Sequence, residues 1–379
     1  MDDVAAPRQF GFIDALRGYA ILAVVATHVQ LLTPDLPFVV KRWADFGAYG
    51  VPLFFVVSAA TLSSSWEARA DGAAAFYIRR LFRIAPMFWL AIAYYLLLPW
   101  PWRAFWSPHG VDWATVALTA VFLHGWSPES LNVVPGGWSI ATEWGFYLLF
   151  PFLVGALRSF WSALGASLAM LATMTLSAPA VGGWLAALFP QTPPVLVAWF
   201  QTFWLPGNLY IFLAGMACWR ATKAFETPRW VAELEVAAAV LVAVVYPLLW
   251  DQPLKYAPAP CFAFALLVHG LASGGGRYLV FGATRRLGTL SFSVYLIHFA
   301  IITALIGAHP SLPGAHGLDY ALFYALVLGA SYLIAEVTYR TVERPMIRLG
   351  GQLAARVAAM SAPRRAHETT AEEAAQPPR

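Results

Sequence analysis

The chain is 379 residues long, 60% apolar and only 12% charged, with a formal net charge of +4. Soluble domains carry about 25% charged residues, so this balance excludes a soluble enzyme and indicates a polytopic membrane protein. The small positive excess does not mark a nucleic-acid surface either, because Lys and Arg fall in short segments between apolar runs.

The acidic start, MDDVAAPRQF, lacks the basic region and cleavage site of a signal peptide, so the first apolar run reads as a retained span. That run, Phe12 to Leu32, is long enough to cross a hydrocarbon core, which takes about 20 residues. Yet it holds Asp14, Arg17 and His28. An Asp or Arg at bilayer depth costs at least about 2.5 kcal/mol, so three ionisable groups in one span need a reason: a functional site, or an Arg17 that pairs with Asp14 and snorkels while His28 caps a polar pocket. Positions 14, 17, 21, 24 and 28 share one helix face, a polar stripe that must look into protein or water. Along its axis Arg17 and His28 stand roughly 16 Å apart.

The pattern D-x-L-R-G-x-A…H, with Arg17 and His28 separated by ten residues, resembles the acyltransferase-3 family of integral membrane acyltransferases. The resemblance implies transfer of an acyl group, often acetyl, from acyl-coenzyme A to a hydroxyl of a carbohydrate or another small molecule. It also implies Arg17 near the coenzyme A donor and His28 as base or nucleophile. Imidazole suits that task, since its reference pKa of about 6.5 lets the neutral ring accept a proton near pH 7.

Further apolar runs at 48–65, 84–100, 137–157, 161–178, 206–222, 231–249, 259–272, 288–307 and 319–340 bring the candidate spans to ten. The expected fold is therefore an all-α bundle of about ten transmembrane helices. Basic residues concentrate in alternate loops, which places both termini in the cytoplasm by the positive-inside rule. Segment 113–125 is apolar but too short to cross and reads as re-entrant or interfacial; the uncharged, Pro- and Trp-rich 179–206 reads as lying along the outer interface. Residues 1–348 form the transmembrane domain, and the polar stretch 349–379 reads as a disordered cytoplasmic tail.

Other family-like segments follow in order. GVPLFFVVSAATL resembles the family's second-helix segment, with Ser58 a candidate substrate contact or a packing hydroxyl and Ala59 where the family commonly has Gly. YIRRLFRIAPMFW puts Arg79, Arg80 and Arg83 at the inner end of the third helix, with Arg80 and Arg83 in the family's R-x-x-R spacing. Two guanidiniums three residues apart share a helix face and suit a phosphate clamp, although basic residues at a cytoplasmic end also simply obey the topology rule. GGWSIATEWGFYLLFP matches W-S-x-x-x-E-x-x-F-Y through Trp138, Ser139 and Glu143. Counted from the outer boundary, Glu143 comes out level with His28, where a carboxylate can fix the imidazole tautomer; the alternative is a structural bracket with Trp138 and Ser139. LSFSVYLIHF resembles the family's S-[FY]-x-x-Y-L-x-H segment and contributes Ser291, Tyr295 and His298, either to a substrate pocket or to a satisfied core. Glu343-Arg344-Pro345 reads as a helix stop with a surface ion pair.

The expected site thus has His28 and Glu143 in catalysis, and Arg17, Arg80 and Arg83 at acyl-coenzyme A. Asp14, Ser58, Trp138, Ser139, Tyr295 and His298 are expected at the acceptor. Acyl-coenzyme A is a co-substrate rather than a resident cofactor. The acceptor is a carbohydrate, glycolipid or secondary metabolite, and the setting a bacterial-type plasma membrane. His109, His124, His269, His309 and His316 show no metal-ligand spacing, so no metal is expected. Cys218 and Cys261 are expected to be free thiols. A proton-coupled transporter of a small polar solute or glycoconjugate precursor also uses intramembrane His, Glu and Arg. Such a protein typically shows repeated halves, and no internal repeat is visible here.

Overall fold

The computed structural model describes residues 11–33, 35–98, 100–249, 257–308 and 317–361. They form α1 (Gly11–Val29), α2 (Phe38–Phe46), α3 (Gly50–Arg69), α4 (Gly72–Leu97), α5 (Arg103–Trp106), α6 (Trp113–Ala120), α7 (Gly137–Ala156) and α8 (Phe160–Leu188). The second half comprises α9 (Pro194–Phe203), α10 (Leu205–Ala224), α11 (Arg229–Leu249), α12 (Pro258–Ala272), α13 (Gly282–Ala308), α14 (Gly317–Thr338) and α15 (Arg344–Ser361). Among the described residues nine helical stretches are long and apolar enough to cross a membrane, and the shorter apolar α12 is a tenth candidate. Helices are the expected solution, since a bilayer core offers no water to backbone N–H and C=O groups.

The bundle is organised around α1, whose residues Ala20, Ile21, Val24 and Val25 are fully buried. Small residues let its neighbours come close, which matters where lipid supplies no hydrophobic drive between helices. A Cβ on Gly18 would strike the Thr284 backbone of α13, and one on Gly288 would strike the Asp14 carbonyl. On another side Gly47 and Gly50 abut the Ala23 and Ala20 carbonyls. Tyr320 and Tyr324 of α14 donate their hydroxyls to the Ala26 and Leu22 carbonyls at 2.7 and 3.1 Å. By contrast α8 is apolar all round with only Ala163, Ser167 and Leu185 buried, so most of its surface faces outward.

Three elements depart from the sequence expectation. The third span starts at Gly72 rather than 84, so Arg79, Arg80 and Arg83 lie within α4; the arginines interrupt the apolar run but not the helix. Arg79 is committed to Asp71 just before the helix, 2.8 Å from Nη2 to Oδ1. Likewise α8 continues through Pro179 to Leu188, leaving only α9 as a separate short helix in the region read as interfacial.

The third departure is at the C-terminal end. Glu343-Arg344-Pro345 does not stop the helix: the chain passes through a π-turn at Tyr339–Glu343 and continues as α15 to Ser361. Pro345 has no N–H for the carbonyl four residues back, and widening the preceding turn makes room for its ring. Nor is Glu343 a surface group; it is 1% exposed and accepts a hydrogen bond from Ser293 of α13. Helix α15 returns along α4, with Gly350 against the Phe82 side chain and Ala354 buried. The segment expected to be disordered from 349 is therefore helical as far as 361, and 362–379 lie outside the described residues.

Candidate active site

Two cavities meet inside the bundle. Arg17 of α1, Ser58 of α3, Arg80 and Arg83 of α4, and Glu143 and Tyr147 of α7 line a narrow one of about 80 Å³. The other, about 410 Å³, is lined by His28 at the far end of α1 and by a set of aromatic side chains. Val51 and Tyr295 line both.

In the arginine cavity the cations outnumber the anions. Arg17 approaches Asp14 only to 3.9 Å, and Asp14 itself is not part of either lining. Arg80 lies 5.9 Å from the centres of the Phe76 and Tyr147 rings, and its Nε has no hydrogen-bond partner. Glu143 is the carboxylate of this lining, accepting from the Ser58 and Tyr147 hydroxyls at 2.6 Å each. Three guanidiniums, one of them with an unpartnered N–H, form the electrostatic pattern of an anion site, and forked guanidinium donors match phosphate oxygens.

At the other end, His298 of α13 is fully buried and meets His28, Nε2 to Nδ1 at 3.1 Å. The opposite nitrogen of His298 is 3.2 Å from the Val294 carbonyl, which can only accept. With both rings neutral, His298 Nδ1–H therefore donates to Val294 and His298 Nε2 accepts from His28 Nδ1–H. That leaves His28 Nε2 as the basic lone pair, on a ring lining the large cavity. Phe299 fixes the rings, 4.4 Å from each centroid. Tyr295, one turn before, donates to the Gly136 carbonyl at 2.9 Å and lies 2.8 Å from the Ser139 hydroxyl.

This arrangement corrects one pairing. Glu143 is not the partner of His28: it lines the arginine cavity, and the group hydrogen-bonded to His28 is His298. The depth estimate assumed that α7 starts at an exposed end of the bundle, and it does not. Residues 130–136 are all buried, so α7 begins inside the protein, and Glu143 lies a further two turns along it. The same geometry divides the remaining residues. Ser58 and Ser139 line the arginine cavity and Trp138 the histidine cavity, where it stacks on Phe203 at 4.1 Å. Ala59 packs where a Cβ on Gly215 would meet it, so the small residue sits on α10 instead.

Tyr147 was not singled out from sequence, although its spacing of four from Glu143 signalled a shared helix face. Asn132 and Trp100 were not singled out either. Both line the histidine cavity, and they come from connecting segments with no periodicity to place them.

Among the described residues the other histidines find local partners. His124 is buried against the Gly137 carbonyl at 2.9 Å, His269 meets Glu235 at 2.8 Å rather than standing alone, and His109 meets Glu129 at 2.9 Å. His309 and His316 lie outside the described residues. Among the described residues no three His, Cys, Asp or Glu side chains gather as a metal site. Cys218 and Cys261 are buried free thiols.

Similarity to known proteins identifies the family. The profile of a family described as an acyltransferase domain matches residues 10–340. "Acyltransferase MdmB" of Streptomyces mycarofaciens is 25% identical over 90% of this chain and 92% of its own length. "Peptidoglycan O-acetyltransferase OatA" of Listeria monocytogenes is 24% identical over 89% of this chain but 56% of its own length. "O-acetyltransferase OatA" of Staphylococcus aureus is 22% identical over 92% of the chain and 59% of its own. The chain thus spans little more than half of the OatA proteins. No solved structure matches.

Proposed function

This chain belongs to the acyltransferase-3 family, and from that premise we propose that it moves an acyl group, acetyl in the first instance, from acyl-coenzyme A to a hydroxyl of a carbohydrate or another small molecule. The setting is a bacterial plasma membrane with both termini cytoplasmic, so the arginine cavity opens toward the cytosol. The observation that carries the reading is the contact of the two cavities at Tyr295, with guanidiniums on one side and the paired imidazoles on the other.

Ligand pockets generally measure about 300 Å³ or more, so the arginine cavity is too small for a nucleotide but wide enough for a flexible arm. Coenzyme A keeps its nucleotide at the cytosolic mouth, its phosphates on Arg80 and Arg83, while the pantetheine threads past Arg17 toward Tyr295. Glu143, held by Ser58 and Tyr147, tempers the repulsion among the cations without occupying the phosphate positions.

The acceptor enters the histidine cavity from the other side. Its hydroxyl gives a proton to His28 Nε2 as its oxygen attacks the thioester carbonyl. The tetrahedral intermediate collapses with cleavage of the C–S bond, and the proton held by His28 returns to the thiolate, releasing coenzyme A as a thiol. His298 acts as a positioning residue: it holds His28 in the tautomer whose free nitrogen faces the cavity and steadies the imidazolium.

The test is thiol release from acetyl-coenzyme A by purified protein in nanodiscs, with and without acceptor. His28→Ala is expected to lower turnover by on the order of 10²-fold or more, with coenzyme A still raising the thermal midpoint. That stabilisation is expected to vanish in Arg80→Ala with Arg83→Ala. Wild-type turnover in folded His28→Ala protein rejects the base, and solute uptake without thiol release turns the reading into that of a transporter.

A further inference from the structure

The lining of the histidine cavity has an electrostatic sign. Five tryptophans, Trp100, Trp102, Trp106, Trp138 and Trp199, line it together with one carboxylate, Asp45, and among the described residues no Lys or Arg does. The Trp106 and Trp199 planes meet at 60° with centroids 6.2 Å apart, and Phe203 lies 5.0 Å from Trp199 and 6.5 Å from Trp106. All three rings are half-buried rather than sealed, so a ligand in the cavity can reach them. The face of an aromatic ring is the negative side of its quadrupole, and planes set at an angle can address one positive charge together.

Asp45 supplies the formal charge. Its side chain is 26% exposed, accepts from Gln30 at 3.0 Å and pairs with Lys41, one turn before it, at 2.9 Å. Lys41 is 52% exposed, and an exposed pair four residues apart on a helix contributes little, so a second cation still finds acceptor capacity on this carboxylate. Gln30 also meets the Thr27 hydroxyl at 3.3 Å, which ties Asp45 to the end of α1 that carries His28. Arg103 belongs to the segment that supplies Trp102 and Trp106, yet it is spent on the Tyr95 and Leu98 carbonyls at the end of α4. An anionic ligand here meets Asp45 and ring faces of its own sign, with no counter-charge to offset its desolvation.

We infer that the histidine cavity is a cation site and takes an acceptor bearing a protonated or quaternary amine, its ammonium held by the Trp106, Trp199 and Phe203 faces and the Asp45 carboxylate, and its hydroxyl left for His28. Calling that ligand the acceptor rests on the acyl-transfer reading; the cation site itself does not.

The experiment uses the full chain in nanodiscs built without choline or ethanolamine lipids, and two probes of one shape, choline and its uncharged carbon isostere 3,3-dimethylbutan-1-ol, with affinity read by calorimetry. Choline is expected to bind at least about tenfold more tightly than the isostere. Asp45→Asn, which keeps an acceptor for Gln30, and Trp199→Leu, on a different helix, are each expected to cut that preference about threefold or more. An unchanged thermal midpoint, and an unchanged rise in it with coenzyme A, certify the fold of each variant. Equal or tighter binding of the isostere, no binding of choline, or an undiminished preference in either folded variant overturns the proposal. Thiol release from acetyl-coenzyme A in the same preparations separates the two readings. Choline binding without turnover under any acceptor counts against acyl transfer alone, whereas turnover that prefers the isostere counts against the cation site alone.

Discussion

At the scale of single residues, the site turns on which nitrogen of His28 is free. Gln at 298 can imitate a hydrogen bond but cannot delocalise a proton as imidazole does. His298→Gln is therefore expected to lower kcat on the order of 10²-fold while leaving KM for acetyl-coenzyme A unchanged, measured by steady-state thiol release. His124 offers a second, independent readout, because burial pushes its imidazole down to about 4 from an ordinary 6.5. The unfolded chain takes up this proton first as pH falls, so the stability it contributes is complete above about 6.5. That contribution drains away between there and about 4, by at most about 3 kcal/mol. Thermal unfolding from pH 7.5 to 5 is expected to show this slope in the wild type and less of it in His124→Gln. Residue identities at the site were largely legible in the sequence, because an ionisable group inside an apolar run advertises itself. Partnerships were not: Glu143 and His298 both carry suitable chemistry, and only the buried approach to α7 decides which of them reaches His28.

At the scale of elements, the placing of His28 beside His298 depends on how closely α1 and α13 approach. That approach is built on glycine: at Gly18 and Gly288 the facing atoms are backbone and cannot swing aside. Gly18→Ala or Gly288→Ala is expected to cost about 1–3 kcal/mol or more and to lower the thermal midpoint, since the helices must separate. Activity should fall further than stability explains, because the two imidazoles ride on the separating helices. Gly155→Ala, where a new Cβ meets nothing within 4 Å, is the matched control and should leave both unchanged. The spans themselves were legible from apolar runs alone. What misled was charge and proline: three arginines masked the first part of α4, and Pro345 imitated a terminus that a π-turn converts into a continuation.

At the scale of the whole molecule, the two cavities approach each other from opposite ends of the bundle, and Tyr295, hydrogen-bonded to Gly136 and close to Ser139, stands where they adjoin. A catalyst that admits one reactant from each side of a membrane must never be open to both at once, or it becomes a shunt across an energised barrier. Under the proposed two-sided reaction, Tyr295 serves as an insulator as much as a contact. In vesicles carrying an imposed voltage, Tyr295→Ala is expected to accelerate dye-reported proton leak, while Tyr295→Phe, which keeps the bulk, stays close to the wild-type current. A cell would feel that loss as drained protonmotive force before it noticed a missing acyl group.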